Sequence, residues 1–301
     1  MMSRTVLMAP TPKGSLASRD REALLAWFRP RRSAYPWRRA RPDPYEVLVS
    51  EFMLQQTQAA RVAAAFGPFL GGFPAVDALA GASRAEVLRG WAGLGYNRRA
   101  VRLHEAARVI VREHDGVVPR DVDVLRSLPG VGPYTAAAVA SIAYGEPAAA
   151  VDANVRRVVA RVARGAEAHE LAAREIANLA TEWLDERDPG RWNAALMDLG
   201  RVVCRPRDPR CAECPLRSAC AFRTSGRSTV ASPRRQGPFE GSFRQLRGAI
   251  VRTLRERESA TLGELARLTN RDRDGVVAAV DALARDGLVE RDRPGVVRLA
   301  G

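Results

Sequence analysis

Lysine is nearly missing from this chain. Lysine and arginine together number 48, and Lys13 is the single lysine. It falls in residues 1–18, a segment that reads as a flexible tail, so no folded segment offers an amine for Schiff-base chemistry. Long apolar runs are missing too, and nothing approaches the roughly 18 consecutive apolar residues of a membrane span. Met1–Leu7 is too short and too mixed for a signal peptide. These absences lead us to expect a cytoplasmic protein, a setting in which cysteines stay reduced. Strand-like alternation is almost absent before residue 240, which predicts an all-α body.

Against these absences stands a formal charge of +14 over 301 residues, enough length for two or three domains with a real core. Such an excess points to a polyanionic partner, and nucleic acid is the first candidate. A high-GC genome that favours arginine codons would produce part of the same bias.

Cysteine is scarce but concentrated. All four cysteines lie within 17 residues, as Cys204-x6-Cys211-x2-Cys214-x5-Cys220, and one compact loop could bring four thiolates to a single metal centre. Structural zinc sites usually pair two short C-x2-4-C knuckles, and only Cys211/Cys214 has that form. An iron–sulfur cluster takes four thiolates at uneven spacing around a larger object. Spacing alone leaves both open.

Helical periodicity dominates the first two-thirds of the chain. Arg19–Phe28, Pro44–Gln58, Val62–Phe66, Arg84–Arg89 and Arg98–His114 are expected helices, followed by Pro133–Tyr144, Ala153–Val162, His169–Glu186 and Trp192–Val203. Residues 226–242 are rich in Ser, Gly, Pro and Arg and read as a linker. Beyond it, Arg244–Glu256, Thr261–Leu268 and Asp272–Asp286 predict three short helices, and the segments from Gly287 and Gly295 a small hairpin. Residues 243–301 therefore resemble a winged-helix unit. Many such units bind DNA through the last helix, and many others serve only as packing or protein-contact modules.

Between two expected helices lies Leu128-Pro129-Gly130-Val131-Gly132. Two glycines one residue apart let the backbone turn tightly and approach another chain. Amides exposed at the N-terminus of the following helix make a neutral anion site suited to a DNA phosphate, a contact that positions without reading sequence. An ordinary helix–turn–helix corner has the same look when taken alone.

The order of hairpin, Val151-Asp152 and cysteine loop resembles the helix-hairpin-helix DNA glycosylases with a [4Fe–4S] cluster, related to endonuclease III. Within that superfamily, Ser50-Glu51-Phe52-Met53-Leu54-Gln55-Gln56-Thr57-Gln58 is similar to the signature of MutY-type adenine glycosylases. Pro36-Trp37-Arg38, Gly93-Leu94-Gly95-Tyr96, Asp152-Ala153-Asn154-Val155 and Ala195-Leu196-Met197-Asp198-Leu199-Gly200 add to it, over roughly residues 20–223. The resemblance implies a two-lobed all-α helix-hairpin-helix glycosylase fold with a cluster loop. One lobe would comprise residues 19–36 and 155–225, and a six-helix lobe residues 37–154. It also implies a monomeric, DNA-associated enzyme of a bacterial cytoplasm, acting on double-stranded DNA with A·8-oxoguanine or A·G mispairs.

Cleaving an adenine N-glycosidic bond needs an acid for the purine and an anion facing the oxocarbenium ion, so two carboxylates in different environments suit it. Glu51 sits among Val47, Leu48, Val49, Phe52, Met53 and Leu54, where burial favours the protonated form. By resemblance it protonates adenine N7. Asp152 is a plausible N-cap for the next helix, with amides and the helix dipole holding it ionised. By resemblance it stabilises the oxocarbenium ion. Tyr134 stands where the bifunctional endonuclease III type carries its lysine, and a phenol forms no Schiff base, so the reading is monofunctional. Tyr134 and Asn154 would then orient the two carboxylates. Gln56 and Tyr96 resemble residues that wedge into the duplex, and Thr57 one that approaches the orphaned purine. Trp37, Arg38 and Asp198 match positions lining the adenine pocket, although core filling would equally explain Trp37. Gly130, Val131 and Gly132 would hold phosphate. Cys204, Cys211, Cys214 and Cys220 would hold the [4Fe–4S] cluster, presenting Arg205, Arg207 and Arg210, with Arg217 beyond, to the DNA backbone.

The chain departs from the resemblance in two places. No Nudix-like pattern, such as MutY-type enzymes use to recognise 8-oxoguanine, follows residue 225, and Ala153 stands where glycine is commoner. A thymine or uracil mismatch glycosylase and a non-catalytic DNA-binding protein remain as alternatives on the same scaffold.

Overall fold

The structure, a computed structural model, describes residues 16–31, 35–229 and 237–301. Most of the expected tail and the middle of the expected linker lie outside the described residues.

The chain opens with α1 (Ser18–Phe28), α2 (Pro44–Leu54), α3 (Ala59–Gly72), α4 (Val76–Gly81), α5 (Arg84–Gly90), α6 (Arg98–Glu113) and α7 (Val122–Ser127). Then come α8 (Pro133–Tyr144), α9 (Ala153–Val159), α10 (Ala173–Glu182), α11 (Pro189–Val202) and the single turn α12 (Ala221–Thr224). The C-terminal part is α13 (Phe243–Glu256), β1 (Ala260–Thr261), α14 (Leu262–Thr269), α15 (Arg273–Arg285), β2 (Val289–Arg293) and β3 (Val296–Leu299). Among the described residues no helix is long and apolar enough to cross a membrane.

Several boundaries differ from the periodicity for local reasons. α2 ends at Leu54 and not Gln58, because Gln56 adopts φ 56°, a left-handed conformation no α-helix accommodates. Its start is set by Asp43, whose carboxylate accepts from the Tyr45 and Glu46 amides, with Pro44 in the first turn. α3 grows well beyond Val62–Phe66, with Val62, Phe66 and Phe69 turned inward. α9 widens after Val159 into a π-type turn over Ala160–Arg164, closed by Gly165 at φ 64°. α4 and α7 have six residues each, too short for a 3.6-residue period to register.

Two compact units emerge, and their boundary differs from the expected one at 154/155. One contains the described residues up to 31 together with 136–229; the other contains residues 35–135 together with 237–301. The first is built on a core that includes Leu24, Phe28, Val158, Trp183, Trp192 and Leu199. The second buries nearly the whole of α2, with Leu48, Val49, Phe52 and Met53 fully enclosed. Phe69 meets Trp91 edge-on with centroids 5.7 Å apart in the same unit.

The C-terminal module has the three helices and hairpin that its sequence predicts, plus one unexpected strand. Its antiparallel sheet has the order β1-β3-β2, with Ala260 opposite Val297 and Val289 opposite Leu299. The module is docked on α5 and the start of α6. Arg255 donates from Nε to the Leu88 carbonyl and from Nη2 to Asn97 Oδ1, each at 2.8 Å, while Arg84 donates to the Gly287 carbonyl at 3.3 Å.

In the first unit α11 meets the start of α9 at a glycine. A Cβ on Gly200 would stand 2.6 Å from Asn154 Cβ and 2.9 Å from its carbonyl oxygen, closer than atoms approach. Gly200→Ala is expected to cost about 1–3 kcal/mol by overpacking, read as a lower urea midpoint at unchanged m-value. A parental midpoint would mean that the two helices do not cross this closely.

Candidate functional site

Asp152 caps α9: Oδ1 accepts from the Val155 amide at 2.7 Å, and Oδ2 accepts from Asn154 Nδ2 at 2.8 Å. Burial nevertheless wins over these donors and pushes the Asp152 carboxyl above the usual range. The amide donors therefore offset only part of the cost of desolvation. The amide of Asn154 cannot flip freely. Its oxygen accepts from Arg157 Nη2 at 2.9 Å, and a guanidinium only donates, so the NH2 group must face Asp152. Arg157 in turn donates from Nε to the Cys204 carbonyl and from Nη2 to the Gly200 carbonyl, both at 2.7 Å. A continuous chain of hydrogen bonds thus runs from Asp152 through Asn154 and Arg157 to the first cysteine.

The segment leading into Asp152 is fastened by Asn193, buried on α11. Its Oδ1 accepts from the Ala150 amide at 3.1 Å, and Nδ2 donates to Ser141 Oγ at 2.9 Å and the Ala148 carbonyl at 2.8 Å. Asn193 thus ties the loop at Ala148 and Ala150 to α8.

All four cysteines line one cavity, together with Val158, Val162, Leu199 and Phe222. Among the described residues no group of three His, Cys, Asp or Glu side chains is close enough to hold a metal ion. Burial raises the Cys204 and Cys220 thiols and pushes Cys214 up to about 12, so ionising them needs the charge of a bound metal. Arg161 is the cation already in place: it is 1% exposed, lies 3.7 Å from Cys204 Sγ and bonds the Arg205 carbonyl at 2.8 Å. Its charge is balanced by Glu167 at 2.8 Å. An all-thiol set around an apolar cavity, backed by a buried guanidinium, fits an iron–sulfur cluster. Of the loop arginines, Arg207 and Arg210 are exposed, Arg210 lying 3.8 Å from Glu213, while Arg205 donates to the Asp208 carbonyl at 2.7 Å. Asp198, on α11, is buried and bonded to Arg201 at 3.1 Å.

In the second unit Glu51 is 4% exposed on α2, between Ser50 and Phe52, which are also buried. The helix is followed at once by the expected wedge. Gln56 and Tyr96 both adopt left-handed backbone, at φ 56° and 44°, which is uncommon for residues other than glycine. Both are exposed, Tyr96 at 50%.

What holds these two strained loops is Arg99, a residue that the sequence reading passed over. Its guanidinium donates to the carbonyls of Phe52 and Met53 at 2.8 Å, to Gln55, to Gly95 at 3.1 Å and Leu94 at 3.3 Å, and to Thr57 Oγ1 at 2.9 Å. Thr57 therefore faces the arginine as an acceptor and also reaches the Leu94 carbonyl at 3.4 Å. Burial lowers the Arg99 pKa to about 10, which leaves it charged at neutral pH. The signal was present as one arginine beside Ala100 and Leu103 on the buried face of α6.

Gly130 takes φ 79°, and a Cβ there would lie 2.7 Å from Arg102 Cβ and 2.9 Å from Phe52, so the position needs glycine twice over. Val131 is buried beneath the turn, whereas Gly130 and Gly132 are exposed just ahead of α8. Tyr134, half-buried, is the second residue of α8. Trp37 is 8% exposed, stacked on Tyr35 at 4.9 Å and edge-on to Phe66 at 5.7 Å; Arg38 lies over the Tyr35 ring at 5.2 Å. By unit, Glu51, Tyr134, Gln56, Tyr96 and the hairpin fall in the second, and Asp152, Asn154, Asp198 and the cysteines in the first.

A family model described as HhH-GPD superfamily base excision DNA repair protein matches residues 49–185. An adenine DNA glycosylase of Mycolicibacterium smegmatis is 43% identical over 92% of this chain and 95% of its own length. The chain belongs to the HhH-GPD superfamily of base excision DNA repair proteins. An adenine DNA glycosylase of Homo sapiens is 44% identical, over 67% of this chain and 39% of that protein. Among solved structures of similar fold, a thermostable thymine-DNA glycosylase aligns with TM-score 0.63 and 32% identity, over 68% of this chain and 95% of that one. A trapped endonuclease III–DNA covalent intermediate aligns at 0.59 and 23%, over 68% and 94%, a likeness of fold alone. A separate family model, HVO_A0114, matches residues 242–300.

Arg99 is the joint on which the loops carrying Gln56 and Tyr96 both depend. Arg99→Met keeps the stem but strands at least five carbonyls, and should destabilise the second unit by about 3 kcal/mol. Amide hydrogen exchange at residues 54–58 and 94–97 should accelerate far more than in α4. Unchanged protection in both loops would show that they are ordered by something else.

Proposed function

We propose that this chain is a monofunctional DNA glycosylase of base excision repair that hydrolyses the N-glycosidic bond of adenine mispaired with 8-oxoguanine or guanine. The single observation that carries this reading is the held carboxylate: Asp152, at the start of α9, has both oxygens occupied by donors and its amide partner locked by Arg157. A fixed anion of this kind is what a developing oxocarbenium ion requires, because it is already oriented when the charge appears. The similarity to adenine glycosylases over 92% of the chain supports adenine as the base.

In the proposed reaction the adenine leaves the stack, at a cost of a few kcal/mol. Glu51, enclosed in α2, delivers a proton to N7 and so turns the base into a better leaving group. As the C1′–N9 bond breaks, Asp152 faces the positive sugar, Asn154 holds its carboxylate, and water then completes the hydrolysis at C1′. Tyr134 offers a phenol at the position where a lyase would need an amine, and Lys13, the single lysine, lies outside the described residues. Strand cleavage through a Schiff base is therefore not part of the scheme. Gly130 and Gly132 hold backbone phosphate, and Gln56, Thr57 and Tyr96 occupy the mispair, while Trp37, Arg38 and Asp198 contribute to the adenine pocket. The protein acts as a cytoplasmic monomer on duplex DNA.

Cys204, Cys211, Cys214 and Cys220 hold a [4Fe–4S] cluster in this proposal, which braces the loop carrying Arg205, Arg207 and Arg210 against phosphate. When bound, the cluster would supply rigidity to the loop, the positive charge facing DNA would come from its arginines, and the cleavage itself belongs to Glu51 and Asp152.

Four duplexes, each bearing a single A·8-oxoG, A·G, T·G or U·G pair, test the substrate after alkaline cleavage of abasic sites. Release of adenine from the first two is expected, with Glu51→Gln binding the same DNA but losing at least a hundredfold in rate, the order typical of general acid catalysis. Release from T·G alone, as the thymine-DNA glycosylase likeness would suggest, or a borohydride-trapped covalent complex, would contradict the reading. The purified protein should also be coloured, with broad absorption near the violet edge and iron by elemental analysis. A colourless protein carrying zinc would refute the cluster.

A further inference from the structure

The C-terminal module carries the features of a DNA-reading winged helix in the wrong electrostatic balance. α15 with its cap has Arg273 and Arg285 against Asp272, Asp274 and Asp281. Asp281 is tied to Arg291 of β2 at 2.7 Å. On the hairpin, Arg298 pairs with Glu290 at 2.7 Å and Asp292 at 3.5 Å. The hairpin beside α15 thus spends Arg291 and Arg298 on carboxylates of the same module, and on α15 with its cap three carboxylates outnumber two arginines. α13 is different, with four arginines and one glutamate.

α13 also has a more telling position. Through Arg255 it grips Asn97, the residue after the wedge Tyr96, and with the segment before it forms one wall of a cavity of about 610 Å³. That volume lies within the roughly 300–1,000 Å³ of small-ligand sites. Gln56 and Tyr96 contribute to the opposite wall, so the module and the wedge loops share one concavity. Its chemistry is specific. Five guanidinia line it (Arg61, Arg98, Arg99, Arg244 and Arg247) against one carboxylate, Asp286, which is already bridged by Arg98 at 3.6 Å and by Arg247. Arg61 and Arg244 are exposed, the latter bonding only lightly back to the Gly237 carbonyl at 2.9 Å. Two aromatic rings stand open in the same cavity, Phe239 at 61% and Tyr96 at 50% exposure.

Exposed rings beside an arginine-rich wall are what an unstacked nucleotide requires: an apolar face for the base and cations for its phosphate. We propose that the winged-helix module contacts DNA through this cavity and not through α15 and the hairpin. The cavity receives an unstacked nucleotide at the lesion, with its base against Phe239 and Tyr96 and its phosphates on Arg61 and Arg244. Gln56 and the module then act as one recognition surface, and the docking bond from Arg255 to Asn97 keeps the two halves in register. The inference rests on the reading of the chain as a DNA glycosylase and adds a second DNA site to it.

Binding of the full chain to fluorescent duplexes separates the possibilities. Phosphate contacts carry no sequence information, so Arg244→Ala should weaken a matched duplex and an A·8-oxoG duplex alike, with the salt slope falling by about one. Phe239→Ala should cost about tenfold on the mispaired duplex and less than twofold on the matched one, since only the former offers an unstacked base. Phe239→Trp should restore binding. Arg273→Ala with Arg285→Ala should leave both affinities within twofold. A larger loss in the α15 double variant than in Arg244→Ala would return DNA reading to α15. Equal effects of Phe239→Ala on the two duplexes would remove the unstacked nucleotide. Circular dichroism at the parental midpoint confirms that each variant is folded. If the parent protein itself fails to distinguish mispaired from matched DNA, the glycosylase reading fails first, and that outcome is distinct from normal binding by the cavity variants.

Discussion

Buried guanidinium groups bonded to backbone carbonyls are the interaction on which the functional parts of this molecule depend. Arg99 in the second unit and Arg157 and Arg161 in the first are each nine-tenths or more enclosed, and each donates to two or more main-chain carbonyls of helix ends and loops. A loop cannot satisfy its own carbonyls as a helix does, so burying it is costly unless a donor arrives from elsewhere. A planar group with five N–H donors can serve several carbonyls at once, which a lysine ammonium cannot do with the same geometry. In a chain with one lysine, arginine is the structural mortar as well as the source of the positive surface.

The consequence for the start of α9 is a loss of freedom. Asn154 has one permitted orientation because Arg157 can only donate, and Asp152 inherits that orientation. The same arginine holds the Cys204 carbonyl, so the position of the cysteine loop and the aim of the carboxylate share one group. On the other unit, the strained conformations at Gln56 and Tyr96 are tolerable because Arg99 fixes the carbonyls around both. Strain held in place by a buried cation keeps both loops in one conformation.

Much of this was legible before any coordinates. The amphipathic periods located nearly all of the longer helices, the double-glycine turn located the hairpin, and Asp152 was readable as a cap from its place ahead of Ala153 and Val155. The charge pattern of α13 against α15 was in the sequence as well, but its meaning was not, since nothing in a string of residues says that Asp281 meets Arg291 or that Asp286 meets Arg247. Trp37 illustrates the opposite case: its place in the sequence says nothing of its neighbours, and the fold stacks it on Tyr35 and sets it edge-on to Phe66.

The amino-acid sequence by itself determined what depends on local spacing: helical periods, turns that only glycine can make, a four-thiol loop, and the scarcity of amines. Tertiary structure alone decided what depends on partners distant along the chain. It made Arg99 and Arg157 organisers instead of surface charges, joined the C-terminal module to the six-helix unit, and left Phe239 open in one cavity with Gln56 and Tyr96. The physical reason is that a guanidinium is identical in water and in a core. Its role is set by which carbonyls surround it, and those carbonyls arrive from segments tens of residues away.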